Sequence, residues 1–230
     1  MKLVILAGGL GTRLSEETRK IPKPMVKVGK IPIIQHIINY YEKFNVKEII
    51  ICAGYKKEII KKYFKNNKYI KVCDTGLKTQ SGSRLLRVKK YLENDKNFFM
   101  TYGDGLSNIN IDKLMNFHTN NKKTATLSAV RPIPRFGHLT IKKNLVVKFK
   151  EKDILSEGWI NGGFFVLNKK IFNYIDDKNN CIFEREPLVK LADDKQLMAF
   201  KHSNFWHPMD TLRDKNYLNS LIIKRNAPWL

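Results

Sequence analysis

Apolar positions along the chain follow two alternating rhythms. Leu3, Val4, Ile5 and Leu6 form a short unbroken run that ends in glycines, whereas Ile33, Ile34, Ile37, Ile38 and Tyr41 recur at helical spacing. A strand followed by a helix is predicted. The pair repeats with Ile49-Ile50-Ile51-Cys52 and a Lys-rich helix around Ile59, Ile60, Tyr63 and Phe64. It repeats again with Ile70-Lys71-Val72-Cys73 and a helix carrying Leu85, Val88 and Leu92, and then with Phe98 to Tyr102 and a helix carrying Ile111, Leu114 and Met115. Strands that are apolar at every position are covered on both faces. Their alternation with amphipathic helices predicts an α/β, doubly wound, mostly parallel Rossmann-like sheet whose ligands sit beyond the carboxyl ends of the strands.

After about Thr124 the rhythm changes. Leu139-Thr140-Ile141 and Leu145-Val146-Val147 flank Lys142-Lys143-Asn144 as the arms of a hairpin would, and Ile160 to Leu167 reads as a further strand, so an antiparallel extension of the same sheet is expected. Near the end, either Asp210 or Thr211 can cap a helix that includes Leu212, Leu218 and Leu221. No Ser/Gly-rich linker and no solenoid repeat interrupts the 230 residues. One domain over 1–230 is expected, with a nucleotide-binding half over about 1–123 and an acceptor-binding half over about 124–230.

Composition narrows the class. With 43% hydrophobic residues, 13 Gly and 8 Pro, a collagen-like, low-complexity or disordered chain is excluded. The first apolar run is too short for an export signal or a membrane span. Cys52, Cys73 and Cys181 are widely spaced, with no CxxC pair, so neither a disulfide framework nor a zinc site is predicted and a cytoplasmic location fits. The formal charge of +22 is unusual. Lys far outnumbers Arg, and the lysines are diffuse among Ile and Asn, as codon bias in an AT-rich genome produces. A nucleic-acid surface would gather arginines and aromatics on one face, so no nucleic-acid and no membrane partner is expected, while phosphorylated small molecules remain.

The strongest chemical signal directly follows the first strand: Leu6-Ala7-Gly8-Gly9-Leu10-Gly11-Thr12-Arg13-Leu14. Glycines let the backbone approach an anion without Cβ obstruction, and Arg13 adds charge. The run lacks the last glycine of a dinucleotide fingerprint, and no GxxxxGK[ST] is present. Pro22 and Pro24 bracket Lys23, which aims the ammonium. His118, His138 and His202 stand isolated and read as ordinary polar or surface residues. Asp104, in Gly103-Asp104-Gly105, can be a turn residue, and Asp210 a helix cap.

The glycine run with Pro22-Lys23-Pro24-Met25 resembles the signature of the sugar-phosphate nucleotidyltransferases, and the chain is similar throughout to their cytidylyltransferase branch, typified by glucose-1-phosphate cytidylyltransferase. Further matches include Ala53-Gly54-Tyr55-Lys56, Asp74-Thr75-Gly76, Tyr102-Gly103-Asp104-Gly105, Arg135-Phe136-Gly137, Asn161-Gly162-Gly163, Glu186-Pro187-Leu188 and Phe205-Trp206-His207-Pro208-Met209-Asp210-Thr211. The resemblance implies that Leu6, Ala7, Gly8, Gly9, Gly11, Thr12, Arg13, Lys23, Ser81, Arg84, Gly103 and Asp104 hold CTP. It implies that Asp104 and Asp210 bind Mg²⁺, and that Glu151, Lys152, Asn161, Gly162 and Gly163 serve a phosphorylated acceptor. Arg13, Lys23 and Lys152 are the implied catalytic cations, and assembly as a homo-oligomer is left open. Three departures from the pattern fall on the acceptor side: a short stretch between Phe64 and Asp74, Glu151-Lys152-Asp153 in place of Glu-Lys-Pro, and Gly82-Ser83-Arg84 in place of Gly-Gly-Arg. They favour L-glutamine phosphate of the capsular phosphoramidate pathway as acceptor, with glucose 1-phosphate as the alternative.

Overall fold

The structure, a computed structural model, describes residues 1–132, 137–151, 158–176 and 180–230. In chain order it contains β1 (Lys2–Ala7), α1 (Ser15–Thr18), β2 (Lys27–Val28), β3 (Ile31–Pro32), α2 (Ile33–Glu42), β4 (Glu48–Ala53), α3 (Lys57–Phe64) and β5 (Ile70–Asp74). There follow α4 (Ser81–Arg87), β6 (Asn97–Tyr102), β7 (Gly105–Ser107), α5 (Ile111–Asn121), β8 (Ala125–Val130), β9 (His138–Lys142) and β10 (Leu145–Lys150). The chain closes with β11 (Ile160–Asn168), α6 (Glu186–Asp193), β12 (Leu197–His202), β13 (Trp206–Pro208) and α7 (Leu212–Ile223).

Seven strands form the central sheet in the order β12-β8-β11-β6-β1-β4-β5. Every pairing is parallel except the two made by β11, which runs against β6 and β8. The apolar run of β1 explains the layering. Leu3 and Ile5 enter a core with Ile33, Ile34, Ile37 and Ile38 of α2, while Val4 and Leu6 enter the opposite core with Leu85 of α4 and Leu191 of α6. Because successive side chains of a strand point to opposite faces, only an unbroken apolar run can fill both cores. The predicted mostly parallel sheet is what the chain forms.

Four details differ from the sequence reading. β9 and β10 do form a hairpin, but it is a separate two-stranded sheet, and the antiparallel strand of the main sheet is β11 alone. Ile141 and Leu139 face Val146 and Phe149 across that hairpin, and all four stay exposed, so burial does not draw it onto the main sheet. The fourth helix stops at Arg87; Leu92 reaches the core from a following 3₁₀ turn, Lys89–Tyr91. His118 and His202 are buried rather than at the surface: His118 Nδ1 lies 2.9 Å from Thr126 Oγ1, and His202 Nε2 lies 3.0 Å from the Phe205 carbonyl. Finally, Thr211 alone caps α7, in a capping box with Asp214. That leaves the Asp210 side chain available for another role.

Candidate active site

A cleft of about 580 Å³ opens beyond the carboxyl ends of β1 and β6. Its lining brings together Leu6, Ala7, Gly8, Gly9, Gly11, Thr12, Arg13, Lys23, Ser81, Arg84, Gly103, Asp104, Asn161 and Asp210, which are far apart in sequence. The glycine run supplies the floor. Gly11 adopts φ 68°, a conformation that disfavours side chains, and its carbonyl accepts from Leu14 N–H at 3.0 Å and from the Thr18 hydroxyl at 3.0 Å. The chain thereby turns sharply from β1 into a short 3₁₀ segment, Thr12–Leu14, and presents Arg13 at the rim with 72% of its side chain exposed.

Lys23 is the centre of charge. Met25 N–H closes a turn onto the Pro22 carbonyl at 2.8 Å, which fixes the backbone on both sides of the lysine. Lys23 is buried, and its ammonium donates to Asp104 Oδ2 at 2.6 Å and to Asp210 Oδ1 at 2.7 Å. Arg13 donates to the other oxygen of Asp210, also at 2.7 Å. Burial by itself would lower the Lys23 pKa, but the two carboxylates outweigh it and hold the group above its ordinary value, so it stays charged. Neither aspartate is merely a turn or cap residue. Asp210 is aimed by its neighbour: the Asp214 carboxylate accepts from the backbone N–H groups of Asp210 at 3.1 Å and Thr211 at 2.8 Å.

Arg84, expected as a nucleotide contact, also has a structural tether. It lines the cleft, yet it donates to the carbonyls of Gly8 (2.9 Å), Gly76 (2.7 Å) and Leu77 (3.2 Å) and to the Thr75 hydroxyl (2.8 Å). Adding a Cβ to Gly8 or Gly54 would place it 2.1 or 2.5 Å from Arg84 Nη1. Both glycines leave room for one buried guanidinium, which ties the glycine run to the segment after β5.

On the acceptor side, Asn161 lines the main cleft, and Gly162 and Gly163 line a small adjoining cavity of about 60 Å³ with Tyr102, Asp104 and Trp206. Gly163 has φ 80°, and a Cβ there would lie 2.6 Å from Tyr102 Cδ2. Glu151 follows the separate hairpin and does not line the cleft; Lys152 and the Arg135-Phe136 pair lie outside the described residues. Residues missed by sequence reasoning complete the wall: Thr79, Gln80, Tyr102, Glu184 and Trp206. Trp206 Nε1 donates to the Gly162 carbonyl at 2.7 Å, and Glu184 accepts from Ser81 Oγ at 2.6 Å and from the Tyr102 hydroxyl. Burial and the Glu184 charge raise the Tyr102 phenol well above its ordinary pKa, which keeps it a hydrogen-bond donor. Tyr102 and Trp206 sit inside quoted motifs and were findable; Glu184 carries no local signal.

Comparison with known proteins gives a consistent picture. The profile of the Nucleotidyl transferase family matches residues 2–214. The chain is 45% identical over 254 residues to glucose-1-phosphate cytidylyltransferase of Salmonella typhimurium, covering 100% of this chain and 98% of that one. It is 33% identical over 177 residues to D-glycero-alpha-D-manno-heptose 1-phosphate guanylyltransferase of Campylobacter jejuni, covering 75% and 78%. Among solved structures, HddC from Yersinia pseudotuberculosis complexed with GMP-PN superposes with a TM-score of 0.72 at 26% identity, covering 96% of this chain and 99% of that one.

Proposed function

The chain belongs to the nucleotidyl transferase family, and from that premise we propose that it transfers the CMP group of CTP to the phosphate of a sugar 1-phosphate, with glucose 1-phosphate the foremost acceptor. The observation that carries this choice is the 45% identity, spread over the whole chain, to an enzyme named for that nucleotide and that sugar. The L-glutamine phosphate favoured by the acceptor-side departures has no counterpart among the relatives above. The alignment runs to 254 positions for a 230-residue chain, so the relative carries insertions, and a trimmed stretch such as that after Phe64 does not require a different acceptor.

In the proposed reaction an oxygen of the acceptor phosphate attacks the α-phosphorus of CTP, a P–O bond forms, the bond to the β-phosphate oxygen breaks, and pyrophosphate leaves. The acceptor is already ionised near neutral pH, so no protein nucleophile is needed and positioning with charge stabilisation can suffice. The glycine run and Arg13 suit the β- and γ-phosphates, and Lys23 suits the α-phosphate, where charge develops. Asp104 and Asp210 are hard oxygen donors that converge on one point and would hold Mg²⁺, which would neutralise phosphate charge. Asn161, Tyr102, Glu184 and Trp206 offer the acceptor a mixed polar and aromatic wall. On this reading the nucleotide elements come chiefly from the first half and the acceptor elements from the second. Among the described residues the three cysteines are unpaired and no helix is long and apolar enough to cross a membrane, which suits a cytoplasmic enzyme.

The test is pyrophosphate release by purified protein with CTP, dTTP, ATP or GTP against glucose 1-phosphate, other hexose and heptose 1-phosphates, and L-glutamine phosphate. CTP with glucose 1-phosphate is expected to give the highest kcat/KM. Preference for dTTP or GTP overturns the nucleotide assignment, and a higher kcat/KM with L-glutamine phosphate overturns the acceptor. A site that hydrogen-bonds one polar body can reject another by ~10⁴-fold, so the panel should separate cleanly.

A further inference from the structure

The ammonium of Lys23 sits where the carboxylates of Asp104 and Asp210 converge. Nζ lies 2.6 Å from an oxygen of Asp104 and 2.7 Å from an oxygen of Asp210, and Arg13 engages the second oxygen of Asp210. The two aspartate side chains are sheltered, at 28% and 16% exposure, so without a cation between them their charges would repel in a poorly solvated place. Lys23 removes that repulsion. Magnesium bonds carboxylate oxygens at about 2.0–2.1 Å and needs near-octahedral oxygen donors. A dication bound to these same oxygens would therefore lie against the ammonium, charge facing like charge. Among the described residues no group of three or more His, Cys, Asp or Glu is placed to make up the set.

Resting on the functional reading above, we propose that Lys23 is a resident counter-ion that denies Asp104 and Asp210 to free divalent cations, so that the cation enters only together with the nucleotide. The α-phosphate is what releases the block. It offers the ammonium a new anionic partner and, with the neighbouring phosphates, supplies the oxygen donors that two carboxylates lack. The lysine stem is long and flexible, and its compact charge can exchange one anion for another with a small movement, while Pro22 and Pro24 keep its root fixed. Arg13 is free to follow, since most of its side chain is in solvent. The site thus keeps a constant balance of charge. A lysine holds the aspartates when the cleft is empty; the cation holds them when phosphate has taken the lysine. A consequence runs against intuition: removing a cationic residue that serves catalysis should strengthen metal binding.

The experiment titrates Mn²⁺ into nucleotide-free protein and reads free Mn²⁺ by electron paramagnetic resonance, with melting temperature measured in parallel. Lys23→Met, which keeps length without charge, is expected to bind Mn²⁺ at least roughly tenfold more tightly than wild type. Mn²⁺ should raise the melting temperature of Lys23→Met and leave that of wild type unmoved, and adding Asp210→Asn to the variant should abolish both effects. A variant that is unfolded without metal is expected to regain its circular dichroism in Mn²⁺; failure to do so counts against the proposal. Equal Mn²⁺ affinity in wild type and Lys23→Met overturns it. Transfer activity is assayed separately on wild type. A wild type that transfers no nucleotide to any acceptor defeats the functional reading alone, whereas an active wild type whose Lys23→Met variant gains no Mn²⁺ affinity defeats the counter-ion role alone.

Discussion

At the scale of single residues, glycines that look alike in sequence do different work. Gly8 faces the Arg84 guanidinium with no room for a Cβ, while nothing lies within 4 Å of a Cβ placed on Gly9. Gly8→Ala is expected to cost about 2 kcal/mol or more of stability, through overpacking and displacement of Arg84. Gly9→Ala should melt with wild type and instead raise the nucleotide KM, because Gly9 lines the cleft and a Cβ there meets nothing in the protein. Denaturant unfolding paired with steady-state kinetics separates the two, and equal stability loss in both variants would show that the glycine run is only a turn. The buried histidines give a second residue-scale prediction. Burial lowers the His118 pKa from 6.5 to about 4 in the folded protein. The unfolded chain therefore binds the proton more readily, so the stability this neutral histidine supports is present above pH 6.5 and lost as pH falls toward 4. Urea midpoints across that range should fall less steeply in His118→Gln than in wild type.

At the scale of elements, α7 both closes the fold and aims the site. Thr211 Oγ1 accepts from Asp214 N–H at 3.2 Å, and Asp214 accepts in return from Thr211 and Asp210 and lies 3.2 Å from His207 Nε2. Lys215 pairs with Glu17 of α1, which connects this helix to the element that follows the glycine run. Thr211→Ala removes a cap and is expected to cost about 1 kcal/mol with little change in kcat. Asp214→Asn should lose more, since several donors converge on that carboxylate, and should also lower kcat by disturbing Asp210. Chemical denaturation of both variants, set beside their turnover, checks the difference. An Asp214→Asn enzyme with normal kcat would confine Asp214 to capping.

At the scale of the molecule, the excess of positive charge has a kinetic consequence whatever its origin. A net charge of +22 attracts anions to the molecule as a whole over distances that salt screens, with a Debye length of about 10 Å at 0.1 M. Raising ionic strength from about 0.01 M to about 0.5 M is expected to lower kcat/KM for nucleotide several-fold while kcat changes little. A parallel fall in kcat would mean that salt acts on the Lys23, Asp104 and Asp210 cluster itself. Distant parts of the chain also meet in the core. Trp229 is almost fully buried, stacks on Phe205 with ring centroids 5.3 Å apart, and lies with Nε1 3.2 Å from His36 Nδ1. Trp229 is therefore part of the packing that supports β13 and, through it, Asp210.

What the sequence determined by itself is what local physics dictates. Unbroken apolar runs such as Leu3 to Leu6 require burial on both faces, helical spacing from Ile33 to Tyr41 marks a covering helix, and the glycines before Arg13 with a proline-bracketed Lys23 mark residues that line the cleft. These signals lie within a few residues of each other, so they are readable without knowing where the rest of the chain goes. Tertiary structure decided the remainder. Asp104 and Asp210 stand 106 positions apart and meet because β13 pairs with β7, where Met209 N–H donates to the Asp104 carbonyl, so that both carboxylates reach the Lys23 ammonium. Glu184 becomes part of the cleft because Ser81 and Tyr102 reach it from other elements. Arg84 lines the cleft and is also held by carbonyls that the parallel packing of β1, β4 and β5 brings within reach, and the hairpin of β9 and β10 stays apart because pairing within it says nothing about which sheet it joins. A backbone carbonyl or a buried charge finds its partner through the path of the whole chain, and no periodicity or motif records that path.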